Sequence, residues 1–327
     1  MTDNYDLWKE LHDIARATDN DEGRVLEDLL KTDEMLVGIE SQRLRSYCVS
    51  VHLEPARDLD DFGTLLLQKP LSDIEQDFDS RVESHLKPSD PTPGNDDDMS
   101  RRAVKWVCDD LYRLRWGPTQ VPIYSLLEDF RSLKPDQRSR FLDIALFYIE
   151  KGVPVDGKDV SATTALTHSF SIKPTFDLEY AQVLFDAGGD VNERNRYGST
   201  AAHEIVQLLT DDPQSKENAT ESFQWFLSHG GNVDVADSDG MVVRDLCESI
   251  CVFMPGFMKA IDKEDERRAA LKGSCCTFCG MQNPKLLVCS RCMKAKGVVI
   301  KYEHVLSSLD CSLSSISNEH SFIQSML

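Results

Sequence analysis

The amino-acid sequence lacks any apolar run approaching the roughly 18 residues that a membrane-spanning helix requires. It also lacks an apolar segment at its start, where residues 1–22 are polar and acidic, so we expect a reducing compartment, the cytoplasm or the nucleus or both. The Gly-rich phosphate loop, the Gly-x-Ser-x-Gly elbow and the His-Glu-x-x-His zinc helix are absent as well. These absences exclude the enzyme classes built on those motifs and favour a protein that is not an enzyme.

Positive charge is scarce, because 36 Lys and Arg stand against 56 Asp and Glu, for a formal net charge of −20. We therefore expect no membrane partner, and nucleic acid is an unfavourable partner for the chain as a whole. Residues 272–302 depart from this pattern, since they contain six basic residues and no acidic one. A solvated basic surface around a metal site is the favoured interpretation, and a nucleic-acid-binding finger is the alternative.

Cysteine is concentrated, because five of the ten cysteines fall within one 18-residue window. Two Cys-x-x-Cys pairs stand there with nine residues between them, Cys276 with Cys279 and Cys289 with Cys292. Each pair can turn into a knuckle that points two thiolates at one ion, and two knuckles complete the tetrahedron that Zn²⁺ prefers. Gly280 suits the turn after the first pair, because glycine adopts positive φ at least cost. We therefore predict a zinc site with these four cysteines as ligands.

Disulfide bonds and a redox-active Cys-x-x-Cys are the alternatives to zinc. The other five cysteines are scattered along the chain: Cys48, Cys108, Cys247, Cys251 and Cys311. A redox pair usually stands alone beside a βαβ pattern, which this sequence does not show. Zinc is therefore favoured over both alternatives, and Cys275 is left as a spare thiol beside the first pair.

The middle of the chain repeats. Three segments share an apolar helix end, a glycine, two spacer residues, a valine and then Asp or Asn: residues 148–156, 184–192 and 226–234. The glycines lie 36 and 42 residues apart, and each is expected to end a helix in the left-handed conformation. Asp177 is expected to cap the second of these helices. The polar stretch 211–218, inside the longer interval, is predicted to be an inserted loop.

Residues 195–203 read Asn-Arg-Tyr-Gly-Ser-Thr-Ala-Ala-His. This resembles the opening Gly-x-Thr-Pro-Leu-His of an ankyrin repeat, with alanines in place of Pro and Leu. The resemblance covers residues 136–251 and implies stacked helix pairs that bind other proteins through a concave face and loop tips, with no chemistry. It also implies that Thr200 caps a helix and that His203 is a structural histidine bonded within or between turns.

The N-terminal third has helix-like stretches and then a Pro- and Asp-rich break at residues 87–98. Helical spacing resumes over residues 101–116, for which we predict a helix. We predict that Trp106 and Trp116 are core residues.

Residues 276–292 resemble the opening of a MYND-type zinc finger: a Cys-x-x-Cys-Gly knuckle, an apolar strand and a second Cys-x-x-Cys. Such fingers commonly follow ankyrin repeats, so the two resemblances reinforce each other. A MYND finger then adds further Cys and His ligands and binds two zinc ions, whereas here no cysteine follows Cys292 until Cys311. We therefore expect a truncated or degenerate finger. It holds either one zinc through the four cysteines, or two if His304, Cys311 or His320 substitute at unusual spacing.

Together these features predict a mainly α protein: an ankyrin-type α-solenoid with a helical N-terminal region and a small C-terminal zinc-binding finger. The expected segments are a helical region 1–86, a linker 87–100, a solenoid 101–260 that is clearest over 136–251, a finger 272–305 and a disordered tail 306–327. The expected function is a non-enzymatic scaffold that binds partner proteins through the repeats. A lysine methyltransferase is an alternative, because some carry a MYND finger, but their Asn-His-Ser-Cys and Gly-Glu-Glu motifs are absent.

Overall fold

The structure is a computed structural model, and it describes residues 23–86, 96–171, 175–208, 210–271, 275–276 and 278–280. The chain divides into two compact units, Met1–Glu266 and Arg267–Leu327. In the described part of the first unit, helices are the regular secondary structure, joined by turns with isolated β-bridges. The predicted tail 306–327 lies outside the described residues, as do residues 1–22 of the predicted helical region, residues 87–95 of the predicted linker and most of the predicted finger 272–305.

Six described helices come first: α1 Leu26–Leu29, α2 Gly38–Ser50, α3 Pro55–Asp58, α4 Asp61–Gln68, α5 Leu71–Leu86 and α6 Asp96–Arg113. Eight more follow: α7 Ile123–Leu133, α8 Arg138–Lys151, α9 Ala165–His168, α10 Leu178–Asp186, α11 Ala201–Val206, α12 Pro213–Ser228, α13 Val243–Ser249 and α14 Pro255–Ala270. A 3₁₀ turn, Pro135–Gln137, joins α7 to α8. No helix in the described part of the chain is both long and apolar enough to cross a membrane.

Helices α7 to α12 form three consecutive pairs that stack side by side. Helix α7 packs on α8, α9 on α10 and α11 on α12. The first helices of the pairs also contact one another in a row, from α7 to α9 to α11 and on to α13. The predicted mainly α solenoid of stacked helix pairs is therefore confirmed.

The turns after the second helices are built as the sequence predicts. Each repeated glycine has positive φ just after a helix: Gly152, Gly188 and Gly230. Each repeated valine is buried: Val155, Val191 and Val233. Because a glycine in this conformation closes the last helical turn at little cost, the chain reverses direction at the same point of every pair.

Side-chain caps determine where two of the helices begin. The Asp177 carboxylate accepts a hydrogen bond from the backbone N–H of Tyr180 at 3.2 Å, so the predicted cap of α10 is confirmed. Asp212 caps α12 in the same way by accepting from the backbone N–H of Ser215 at 2.8 Å. The prediction of a loop over residues 211–218 is wrong, because this cap and a proline in the first turn start the helix there.

A buried ion pair connects the first two pairs. Arg131 of α7 is 1% exposed and donates to both carboxylate oxygens of Asp177, at 2.8 and 3.0 Å. Arg138 lies 2.8 Å from the same carboxylate. Since a charge buried without its partner is strongly destabilising, this network fixes how α7 and α10 sit together.

The helical N-terminal region extends the stack. Helices α5 and α6 pack on each other and on α8, and Phe78 of α5 meets Phe147 of α8 edge-on, with ring centroids 5.6 Å apart. Helix α6 begins at Asp96, so the last residues of the predicted linker are helical, and the helix ends at Arg113 rather than at residue 116. One apolar core therefore runs from α4 through the repeats.

The two tryptophans that were predicted to be core residues, Trp106 and Trp116, have different environments. Trp116 is buried and its indole N–H donates to Asp60 at 2.9 Å, so the core prediction is confirmed there. The prediction is wrong for Trp106, which is 62% exposed. Helix α6 turns Ala103, Val107 and Leu111 inward, and Trp106 falls outside that stripe.

Residues 23–53, which we call the strap, contain α1 and α2. Three strap leucines are buried against Tyr197, which belongs to the loop before α11: Leu29, Leu36 and Leu44. This cluster is separate from the main core. The strap is therefore held to the repeats by a small apolar contact of its own.

Candidate functional site

Three loops with the same hydrogen bonding precede α9, α11 and α13. In each loop one Asp or Asn side chain accepts from the backbone N–H groups two and four residues later: Asp159, Asn195 and Asp237. In each, the residue three positions on has positive φ: Ala162, Gly198 and Gly240. The side chain satisfies donors that a tight loop leaves unpaired, so the three loops project in a fixed shape. We call the surface formed by α7, α9, α11 and these loops the groove.

His203 links two of these loops. The backbone N–H of Thr200 donates to His203 Nδ1 at 3.1 Å, so Nε2 carries the ring proton and donates to the carbonyl of Met241 at 3.2 Å. Burial lowers the pKa of His203, which keeps the ring neutral. The sequence assigned Thr200 to a cap and His203 to a structural role, and the capping box that they form confirms both.

A charged pair lies on the groove. His168 Nε2 is 3.2 Å from a carboxylate oxygen of Asp129, and each side chain is partly exposed. Burial lowers the pKa of His168, but the hydrogen-bonded carboxylate of Asp129 opposes this effect most strongly, and the pKa is raised to about 10. His168 is therefore positively charged at neutral pH, and the pair is an ion pair.

Glu128, the residue before Asp129 on α7, is fully buried. Neither of its carboxyl oxygens has a hydrogen-bond partner among the described residues, because the nearby Ser169 hydroxyl donates to the carbonyl of Ala165 at 3.1 Å instead. Burial raises the pKa of Glu128 to about 8. The side chain is therefore mostly a neutral acid at pH 7, because its charged form is not stabilised there.

A polar cavity of about 380 Å³ lies between the strap and the groove. The strap contributes Arg45, Cys48 and His52 to the lining, and the groove contributes polar side chains that include Asp129 and His168. A cavity lined by so many polar groups has room and partners for water or for a polar side chain.

The first cysteine pair forms a knuckle in the second unit. Cys276 and Cys279 are buried, at 4% and 1% exposure, and the backbone N–H of Gly280 donates to the carbonyl of Cys276 at 2.8 Å. Gly280 has a φ of 66°, as the predicted turn requires. This is the backbone arrangement that brings two thiols to one side of a tight turn.

Two arginines contact the knuckle. Arg267 donates to the carbonyl of Gly280 at 3.0 Å, and Arg268 lies 3.5 Å from the carbonyl of Phe278. The donor set fits half of a zinc site, because a Cys-x-x-Cys pair at a tight turn supplies two of the four sulfur ligands that Zn²⁺ prefers. Cys289 and Cys292 lie outside the described residues. Within the described ranges no group of three or more His, Cys, Asp or Glu side chains is placed to hold a metal.

The sequence did not reveal two features of the groove. Sequence reasoning did not identify Asp159 as the residue that plays the same loop-closing role as Asn195 and Asp237. The spacing of the three could have shown it, because they lie 36 and 42 residues apart, as the repeated glycines do. Sequence reasoning also missed the strap, because α2 buries only Ser41 and Leu44 and so shows no apolar stripe.

Solved structures of ankyrin repeat proteins resemble this chain, and two of them illustrate the likeness. One is an ankyrin repeat domain from Acinetobacter baumannii, with 17% identity and a TM-score of 0.39, and the match covers 62% of this chain and 96% of that one. The other is an ankyrin repeat protein with 14% identity and a TM-score of 0.26, with 50% and 93% covered. Both scores are low, so the architecture described above rests on this chain's own caps, turns and packing. No family model and no curated protein matches the chain.

Proposed function

We propose that this protein is a non-enzymatic interaction scaffold in a reducing compartment, the cytoplasm or the nucleus. The observation that carries the proposal is the groove, in which three loops repeat one hydrogen-bonded shape at Asp159, Asn195 and Asp237. Rigid loops on a stacked helical frame hold side chains in place for a partner protein, as in ankyrin repeats, which this chain's middle resembles. The net charge of −20 makes nucleic acid an unfavourable partner.

The scaffold also binds zinc in this proposal, through a finger that resembles the MYND type. The ligands are Cys276, Cys279, Cys289 and Cys292. The knuckle at the first pair supports this assignment, because it has the turn and the buried thiols that a zinc knuckle requires. A bound zinc would supply folding free energy to a segment too short to build an apolar core.

Zinc per chain, measured by native mass spectrometry on reduced protein, tests the finger. We expect at least one zinc in the wild type and a loss of zinc in Cys289→Ser. One zinc would favour the four-cysteine ribbon and two would favour the cross-braced finger. Metal-free wild-type protein would remove the zinc part of the proposal.

Capture of partner proteins by the immobilised full chain tests the groove. The variant Asp129→Arg reverses a charge on the groove, and Asp186→Arg makes the same change on the exposed end of α10. We expect a partner that binds the wild type and Asp186→Arg and is lost from Asp129→Arg. A set of captured proteins that is the same for all three would contradict the groove as the binding surface.

A further inference from the structure

One arginine of the groove holds the strap. The guanidinium of Arg196 donates to the carbonyl of Leu29 at 2.8 Å and to that of Glu34 at 3.0 Å. It also reaches the Thr32 hydroxyl at 3.0 Å, and the backbone N–H of Leu36 donates back to the carbonyl of Arg196 at 2.8 Å. Leu29 is the last residue of the one-turn helix α1, so Arg196 pairs a carbonyl at the end of that helix.

Further contacts contribute to the attachment, including a hydrogen bond from the Tyr47 hydroxyl to the carbonyl of Pro118 at 3.0 Å. Leu29, Leu36 and Leu44 pack on Tyr197, and the Arg45 guanidinium lies 4.9 Å from the centroid of the same ring. The strap also lines one side of the polar cavity, through residues that include Arg45, Cys48 and His52. The strap therefore presents three chemical features to the groove: carbonyls at a helix end, leucines and a cation.

The attachment is weaker than the packing within the stack. The helix pairs share one continuous apolar core, whereas the strap contributes three buried leucines to a separate cluster and reaches the main core through the partly buried Leu53. Segments with few buried apolar contacts open at a lower free energy than the global unfolding of a protein. We therefore expect the strap to open locally while the helix stack stays folded.

We propose that the strap is an intramolecular ligand of the groove, and that a partner protein displaces it by presenting the same chemistry. The partner segment is helical, ends with free carbonyls at Arg196, places leucines on Tyr197 and carries an arginine or lysine toward the groove. This inference rests on the proposed function, since it names how that groove is covered and what displaces the cover.

Two cysteines report the opening within the full chain. Cys48 of α2 lines the polar cavity, and burial raises the pKa of its thiol to about 11. Cys247 of α13 is fully buried in the stack. Their rates of reaction with a thiol reagent, separated by mass spectrometry, compare strap opening with opening of the stack in one sample. Hydrogen exchange gives the same comparison in the wild type, where the amides of α2 should exchange faster than those of α8.

A pair of substitutions then tests the binding surface. Leu36→Asp on the strap and Arg196→Gln on the groove should each speed the labelling of Cys48 by about tenfold or more, because each removes a main contact. The rate at Cys247 should stay unchanged. A fluorescent peptide of residues 23–53 should bind the full-length Leu36→Asp protein and should not bind the double variant Leu36→Asp, Arg196→Gln.

Three outcomes would overturn the inference. Equal acceleration of labelling at Cys48 and Cys247 would make the strap part of the stack. The peptide could fail to bind Leu36→Asp protein that circular dichroism shows to be folded. It could also bind the double variant equally well, which would exclude Arg196 from recognition. None of these measurements uses an external partner, so failure of the capture experiment leaves them unaffected.

Discussion

The helix stack and the cysteine knuckle are stabilised by different physical effects. The stack buries a continuous set of aromatic and aliphatic side chains, and its helices α10, α11 and α12 are capped by their own residues. In the described part of the second unit the apolar cluster consists of Cys276 and Cys279 with Phe278 against them. The stack can fold by apolar burial, whereas so small a cluster calls for another source of free energy, for which we propose zinc.

The largest expected effect is the unfolding of the cysteine segment on loss of zinc while the helix stack stays folded. Removal of zinc by a chelator, or the substitution Cys276→Ser, should unfold the cysteine segment, because a structural zinc supplies an apparent ~10–16 kcal/mol of binding free energy. The thermal midpoint of the stack should not change. Hydrogen exchange over residues 275–280 and circular dichroism measure the two regions, and Cys251→Ser is the matched control. Collapse of the helical signal on chelation would break the comparison.

The second effect addresses the stack alone. Phe141 is fully buried beside Phe130, with ring centroids 5.5 Å apart. We expect Phe141→Ala to lower the free energy of unfolding by about 3–5 kcal/mol, because it removes apolar area and leaves a cavity. Denaturant unfolding measures this loss, and Leu133→Ala, at a side chain 53% exposed, should change stability little. A change in zinc content of Phe141→Ala would show that the regions are coupled.

The third effect is a dependence of stability on pH. The ordinary pKa of Glu128 is 4.5 and burial raises it to about 8, so between these values the unfolded chain ionises while the folded chain stays protonated. Stability should therefore fall as pH rises through this window, by on the order of 5 kcal/mol in total. Glu128→Gln should remove this fall.

The window from pH 4.5 to 6.5 gives the cleanest comparison between wild type and Glu128→Gln. Above pH 6.5 the raised pKa of His168 adds a second loss of stability, since the unfolded histidine loses its proton while the folded one keeps it up to about pH 10. Parallel stability curves for the two proteins below pH 6.5 would show that Glu128 does not titrate as its burial implies.

The smallest effect is a gain in stability. Ala162 has a φ of 59° at the loop position that glycine occupies in the next two repeats. We expect Ala162→Gly to stabilise the stack by roughly 0.5–1 kcal/mol, because glycine relieves the left-handed strain. Gly240→Ala is the reverse substitution at the equivalent position of a later loop. An added Cβ there would meet no atom within 4 Å, so only the left-handed backbone strain should act, and stability should fall by a similar amount. A loss of stability in Ala162→Gly would mean that the three loops are not equivalent.

Local features of the stack could be read from the sequence, while long-range contacts could not. The glycine turns, the Asp177 cap and the Thr200–His203 box each depend on neighbours within a few residues, so their patterns are visible in the chain. Trp106 could not be placed, because helical spacing over 101–116 did not show which side of α6 faces the core. The loop predicted at 211–218 failed because polar composition outweighed the Asp-Pro signal for a helix start.

The sequence by itself determined that this protein is a stack of helix pairs, since turns, caps and periodic apolar residues are local signals. It also predicted the knuckle at Cys276 and Cys279, where cysteine spacing and Gly280 define the turn. Only the tertiary structure decided that the strap covers the groove. The reason is distance along the chain: Arg196 recognises backbone carbonyls more than 160 residues earlier, and a carbonyl looks the same in every residue of a sequence.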